Sequence, residues 1–326
     1  MVEYMRILLA LVMMMVAAFP AFAAPIKVVA SFSIIGDLVK QVGGDDVEVT
    51  TLVGPDGDAH VFQPSPADGK KIADASIVFM NGLGFEGWME RLIASTEYKG
   101  KVVVVSDGIG MPLMTEDEDH KEDGHKDHGH KERGHKERGH KKHDKHAHGA
   151  MDPHAWQNIA NGRTYVKNIA KALSAANPVN AARFTANAEA LDMDLAGLDA
   201  WVNNEIGKVQ ISKRKVICSH DAFGYFAKAY GIHFMAPVGV STEAEPSAKG
   251  MAHLVEQIKQ NGVRAIFFES MASSKIVQQL AAEAGATVGP ALYADALSPA
   301  SGPASTYQAM FKHNTTKLVE AMQLNQ

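Results

Sequence analysis

Short apolar runs alternate along this chain with stretches whose apolar positions recur every three or four residues. Ile26 to Ala30 is β-branched and continuous, the signature of a buried strand. Ile35, Leu38, Val39 and Val42 follow at helical spacing over 34–42, and Gly43-Gly44 ends that helix. A strand over Val47–Val53, a helix from Pro66 to Ala73, and strands Ile77–Met80 and Val102–Val105 continue the alternation. Strand–helix alternation predicts parallel βαβ units, hence an α/β fold. Asp152-Pro153 reads as an N-cap followed by proline at the first helical position, opening a helix that ends near Asn177-Pro178. From Val179 to Gly207 the chain is rich in Ala and Leu with few breakers. The pattern predicts one helix of about 45 Å, at 1.5 Å per residue, acting as a rigid connector.

After the connector the pattern repeats. Val216–Ser219 reads as a strand like Ile26–Ala30. Ser31, Gly36, Lys40 and Gly43 recur as Ser219, Gly224, Lys228 and Gly231, each 188 positions on. Pro64-Ser65 is echoed by Pro246-Ser247, and strand 77–80 by Ala265–Phe268. The expectation is two similar lobes with parallel sheets, 24–178 and 209–326, joined by helix 179–208. A ligand cleft would lie between them, beyond the C-terminal ends of the strands.

Two segments stand outside this pattern. Residues 1–23 carry Arg6, an apolar run from Ile7 to Phe19 and Ala21-Phe22-Ala23, the layout of a cleaved signal peptide directing the chain to the periplasm. The run is short of the ~20 residues that span a bilayer. No cysteine follows it, so lipid attachment there is not expected. Residues 115–149 are almost entirely His, Lys, Asp, Glu and Gly, with Gly-His-Lys-Glu-Arg repeated at Gly129 and Gly134. With almost nothing apolar to bury, this segment reads as a disordered loop inserted in the first lobe. It could capture zinc weakly or sense its supply, bind other metals incidentally, or serve only as a solvated charged loop.

Composition narrows the function. A net charge of −5, from 32 basic and 37 acidic side chains, gives no reason to expect nucleic acid or a membrane surface as the main partner. The single cysteine, Cys218, excludes an internal disulfide; within Val216-Ile217-Cys218 it reads as a core residue. The outlier is histidine, 15 in all, nine of them between His120 and His148. Of the other six, His60, His154 and His220 fall at or near strand-to-helix junctions, where an α/β fold presents ligands. Asp295 follows an expected strand over Thr287–Leu292. Three imidazoles and a carboxylate suit tetrahedral Zn²⁺. His233, His253 and His313 have no such placement. Asp221 could orient His220 or cap a helix from Ala222, and Glu269 could support the site or the fold. Trp88 and Trp156 read as packing residues.

Four segments carry a family resemblance: Gly54-Pro55-Asp56-Gly57-Asp58-Ala59-His60 followed by Pro64-Ser65; Met151-Asp152-Pro153-His154-Ala155-Trp156; Ser219-His220-Asp221-Ala222-Phe223-Gly224-Tyr225-Phe226; and Tyr293-Ala294-Asp295. In this order they resemble the zinc-specific solute-binding proteins of bacterial ABC transporters, over essentially the whole mature chain. The resemblance implies His60, His154 and His220 as zinc ligands and Asp295 as the completing carboxylate. It also implies a membrane permease as partner, a monomer, and no catalysis. Manganese-importing members carry glutamate where this chain has His220, which favours zinc. Some zinc members place glutamate before the first ligand histidine, whereas this chain has Ala59, which puts more weight on Asp295 or water. The rivals are a secreted zinc hydrolase, for which neither H-E-x-x-H nor G-x-S-x-G is present, and a storage protein acting through the loop.

Overall fold

The computed structural model describes residues 24–110, 151–243, 247–270 and 274–326. The expected signal peptide and the histidine-rich loop 115–149 lie outside the described residues. The first lobe holds strands β1 (Ile26–Phe32), β2 (Val47–Val53), β3 (Ile77–Met80) and β4 (Lys101–Val104), with helices α1 (Ser33–Gly43), α2 (Pro66–Ala73) and α3 (Met89–Ser95). All its strand pairs are parallel, in the order β2-β1-β3-β4. Every residue of β3 is buried, as expected for a strand covered on both faces.

Helices α4 (Ile159–Ala176) and α5 (Ala181–Gly207) lead to the second lobe. There β5 (Lys215–Ile217), α6 (Gly224–Tyr230), β6 (His233–Met235), α7 (Ala248–Asn261), β7 (Ala265–Ile266), α8 (Ser274–Ala284), β8 (Thr287–Val288) and α9 (Tyr307–Gln323) complete the described chain. Its sheet is again parallel, in the order β6-β5-β7-β8, the same topology as the first. The serine echo is structural too: Ser65 caps α2 in a capping box with Asp68, and Ser247 caps α7.

Several expectations move. The helix expected from Asp152 begins at Ile159, capped by Asn158, whose side chain accepts from the Ala160 N–H. Asp152 is taken up by His154 instead, and His154 precedes a 3-10 turn at Ala155–Gln157 rather than sitting in a helix. The helix expected from Ala222 begins at Gly224, because the Asp221 N–H is drawn to the carbonyls of Val238 and Gly239. The strand expected over Thr287–Leu292 stops at Val288. Pro290 has no N–H to continue the ladder, and Leu292 rejoins through one bridge to Glu269.

The long helix α5 is not a bare strut. Phe184, Ala188, Leu191, Leu195, Leu198, Val202 and Ile206 form one buried stripe, and α5 packs against α4, α9 and α1. One hydrophobic core therefore runs from β1 through α4 and α5 to α9, with a smaller cluster around Ile217, Leu254 and Ile266 on the far face of the second sheet. Gly162 on α4 meets the Tyr307 ring on α9 with no room for a Cβ. Gly162→Ala is expected to cost about 1–3 kcal/mol by overpacking, read as a lowered urea midpoint. An unchanged midpoint would mean that Tyr307 does not press on α4.

Candidate metal centre

Each candidate side chain is placed by a short, tightly bonded loop. His60 follows β2 through the turn at Gly54–Gly57, and its N–H donates to Asp58 Oδ1 at 2.9 Å. Asp58 Oδ2 accepts from Thr242 Oγ1 of the second lobe at 2.8 Å, so one carboxylate holds His60 and ties the cleft's two walls. His154 is held by Asp152, whose Oδ1 lies 2.9 Å from the backbone N and 2.8 Å from Nδ1. His220 lies just past the end of β5, with Nδ1 3.2 Å from Glu269 Oε2, and Glu269 Oε1 accepts from the Ser219 N–H.

These loops bring His60, His154, His220 and Asp295 to one point, with all four donor atoms within 4.8 Å of one another. The nitrogens that converge are Nε2. His60 Nε2 lies 3.2 Å from Asp295 Oδ2 and 3.3 Å from His154 Nε2. His220 Nε2 lies 3.0 Å from Asp295 Oδ2, and His154 Nε2 3.4 Å from Oδ1. Donors ~2.0–2.1 Å from a tetrahedral ion stand ~3.3 Å apart, so this spacing fits a small divalent cation. Asp295 Oδ1 is buried and no donor points at it along a hydrogen-bond direction, leaving lone pairs for a cation. His233, His253 and His313 lie outside the cluster; His313 Nε2 faces the Ala291 carbonyl at 2.9 Å. Cys218 is fully buried, its thiol donating to the His220 carbonyl.

Charge crowding sets the protonation of the metal-free cluster. Burial alone would depress His154, but Asp295 and Asp152 beside it push it up to about 9. His220 is likewise raised well above the usual histidine value, against its burial, by Glu269 and Asp295. Burial would raise Asp295, yet the imidazoles of His154 and His220 hold it well below the carboxylate range. The raised imidazoles of His154 and His220 and the lowered carboxyl of Asp295 thus favour each other's charged forms.

Phe85 closes one side, its ring edge-on to His60 at 4.6 Å. Toward solvent, a cavity of about 790 Å³ lined by Phe62, Trp88, Arg91 and Met151 reaches the cluster at His60 alone of the four side chains. Sequence reasoning missed Asp152 as the partner of His154, although a carboxylate two residues before an imidazole is a usable signal. It also treated Trp88 and Trp156 as packing alone. Both do pack, but each also donates its indole N–H to a backbone carbonyl next to the cluster, Ala59 O and Ala294 O, both at 2.8 Å.

The family described as "zinc-uptake complex component A, periplasmic" matches residues 28–321. The chain belongs to that family. It is a metal-binding periplasmic solute-binding component of an ABC transporter, working with a membrane permease, and not an enzyme. Its relatives differ in the metal they are named for. The manganese-binding lipoprotein MntA of Halalkalibacterium halodurans is 27% identical over 297 residues, covering 91% of this chain and 88% of that one. The iron-binding protein YfeA of Yersinia pestis is 28% identical, covering 87% and 82%. The solved periplasmic zinc binding protein TroA of Treponema pallidum superposes with a TM-score of 0.79 at 28% identity, covering 92% and 99%.

Proposed function

We propose that this chain captures Zn²⁺ in the periplasm, holds it with His60, His154, His220 and Asp295, and delivers it to the permease for import. The observation that carries the choice of metal is the donor set: three imidazole nitrogens and one carboxylate, closely spaced and buried. Imidazole suits zinc, whereas manganese is better served by oxygen donors. Four protein donors also suit a closed site that stores an ion rather than one with an open catalytic position. The same proposal includes a cleaved leader at 1–23, a soluble monomer, lobes at 24–178 and 209–326 joined through 179–208, and a histidine-rich segment at 115–149 that gathers zinc weakly.

The test is a thermal melt of the metal-stripped protein with each ion. A ligand that binds only the folded state stabilises it by RT ln(1 + [L]/Kd), about 4 kcal/mol at 1,000 times Kd. Zinc is expected to raise the melting temperature clearly and manganese barely. An equal rise with both ions would remove the case for zinc and leave a general divalent-metal importer.

A further inference from the structure

Three of the four clustered side chains share one feature of their backbone. The carbonyl of the residue immediately before each accepts a side-chain N–H. Ala59 O takes Trp88 Nε1 before His60, and Pro153 O takes Asn81 Nδ2 at 2.9 Å before His154. Ala294 O, before Asp295, takes two: Trp156 Nε1 at 2.8 Å and Gln157 Nε2 at 2.7 Å. All four donors belong to the first lobe. Asp295 lies far along the sequence in the second, yet its backbone is pinned by the turn that follows His154.

The neighbouring bonds run the same way. Up to Leu292 the chain pairs with the second lobe, through Phe268 and Ser270. Beyond Ala294 it crosses over. The Leu297 N–H donates to Ser33 Oγ, the Leu297 carbonyl accepts from the Asp56 N–H, and the Tyr307 N–H donates to Asp37 Oδ2. The Tyr307 hydroxyl in turn donates to the Trp156 carbonyl. Among the described residues His220 has no such tie to the first lobe; Glu269, which holds it, sits at the end of the second sheet.

We infer that Trp156 and Gln157 are positioning residues that fix Asp295 to the first lobe, so that His60, His154 and Asp295 form one rigid three-donor half-site. His220 is then the single donor carried by the other lobe. The inference rests on Asp295 being a ligand of the transported ion. Neither Trp156 nor Gln157 touches the ion. They act by holding the one peptide whose rotation would swing the carboxylate away, and both are at most 1% exposed, so water cannot replace them.

The test measures zinc affinity and the rate of zinc release to a chelator in the full chain, for Trp156→Phe/Gln157→Leu, for Asp295→Ala, and for the three changes together. Groups that orient metal ligands typically cost 10–100-fold in affinity when removed. The double variant is expected to weaken zinc by that factor and speed its release. In the Asp295→Ala background the same two changes should add less than about twofold. A full additional loss in that background would show that they act through general packing, and would overturn the inference. If Asp295→Ala itself leaves affinity unchanged, the ligand assignment fails instead, and the two failures are separate readings. Trp156→Phe alone keeps an aromatic ring in the pocket and leaves Gln157 bonded. It carries the same comparison, with a smaller expected loss, should the double variant not fold.

Discussion

Zinc affinity should climb by about tenfold per pH unit as pH rises from 6.5 toward 9. Metal and protons compete for the same nitrogens, and each proton displaced adds about one decade per pH unit. From sequence alone, the fall in affinity is expected only below ~6.5, the ordinary histidine value. The structure moves the window upward, because His154 is pushed up to about 9 and His220 is also raised. At neutral pH His154 is protonated in the metal-free protein, and the upward shift of His220 works in the same direction, so at least one proton leaves when zinc enters. The sign for stability follows the same shift. A folded-state value above the unfolded one means that the proton's contribution is fully present below ~6.5 and is lost as pH rises through about 9. For His154 that contribution is on the order of 3 kcal/mol, at 1.36 kcal/mol per unit. The metal-free protein should therefore lose stability from pH 6.5 to pH 9 while the zinc-loaded protein does not. Calorimetry in buffers of different ionisation enthalpy counts the protons released. Release near zero at pH 7, with a flat affinity to pH 9, would remove the raised imidazoles from the account.

His154→Ala should weaken zinc binding by about 10²–10³-fold. Four-ligand zinc sites in small proteins are worth ~10–16 kcal/mol at pH 7, so an even share is about 3 kcal/mol per ligand. At 1.4 kcal/mol per decade that is just over two decades. His154 is the most demanding case because it is fully buried between Asp152 and Asp295. Its removal leaves two buried carboxylates facing a space with no cation. His253→Ala, on the outer helix α7, should leave affinity unchanged. Competition against a strong chelator reads both. Undiminished tight binding in His154→Ala would place the site elsewhere, with the histidine-rich segment the first place to look.

The sequence carried the alternation of strands and helices, and it named four side chains that the structure brings together. That His60, His220 and Asp295 converge was legible because strand–helix alternation tells where an α/β fold presents side chains, and the family motifs named the same positions. β2, α2 and β3 were legible to the residue because apolar runs and turn signals agreed there. The start of α4 was not. Asp152-Pro153 has the local chemistry of a helix cap, but a histidine two residues later competes for the same carboxylate and wins. The hydrogen bonds of Trp156 and Gln157 to Ala294 were invisible for a different reason. They join residues far apart in the chain, and no local pattern reports which carbonyl an indole will find. The packing of α5 was hidden likewise: its buried stripe is plain in retrospect, but periodicity does not say which neighbours cover it.

The core that threads α4, α5 and α9 limits how the two lobes can part. Swinging them open through a wide arc would wet apolar surface at about 25 cal/mol for every Å², a toll that grows quickly with the angle. Loading and unloading must therefore be a short stroke, made where the walls meet through bonds such as Thr242 to Asp58 rather than through the greasy spine. A permease docking against this molecule is then expected to meet nearly the same outline whether it is full or empty, and to read the cargo at the lip of the cleft.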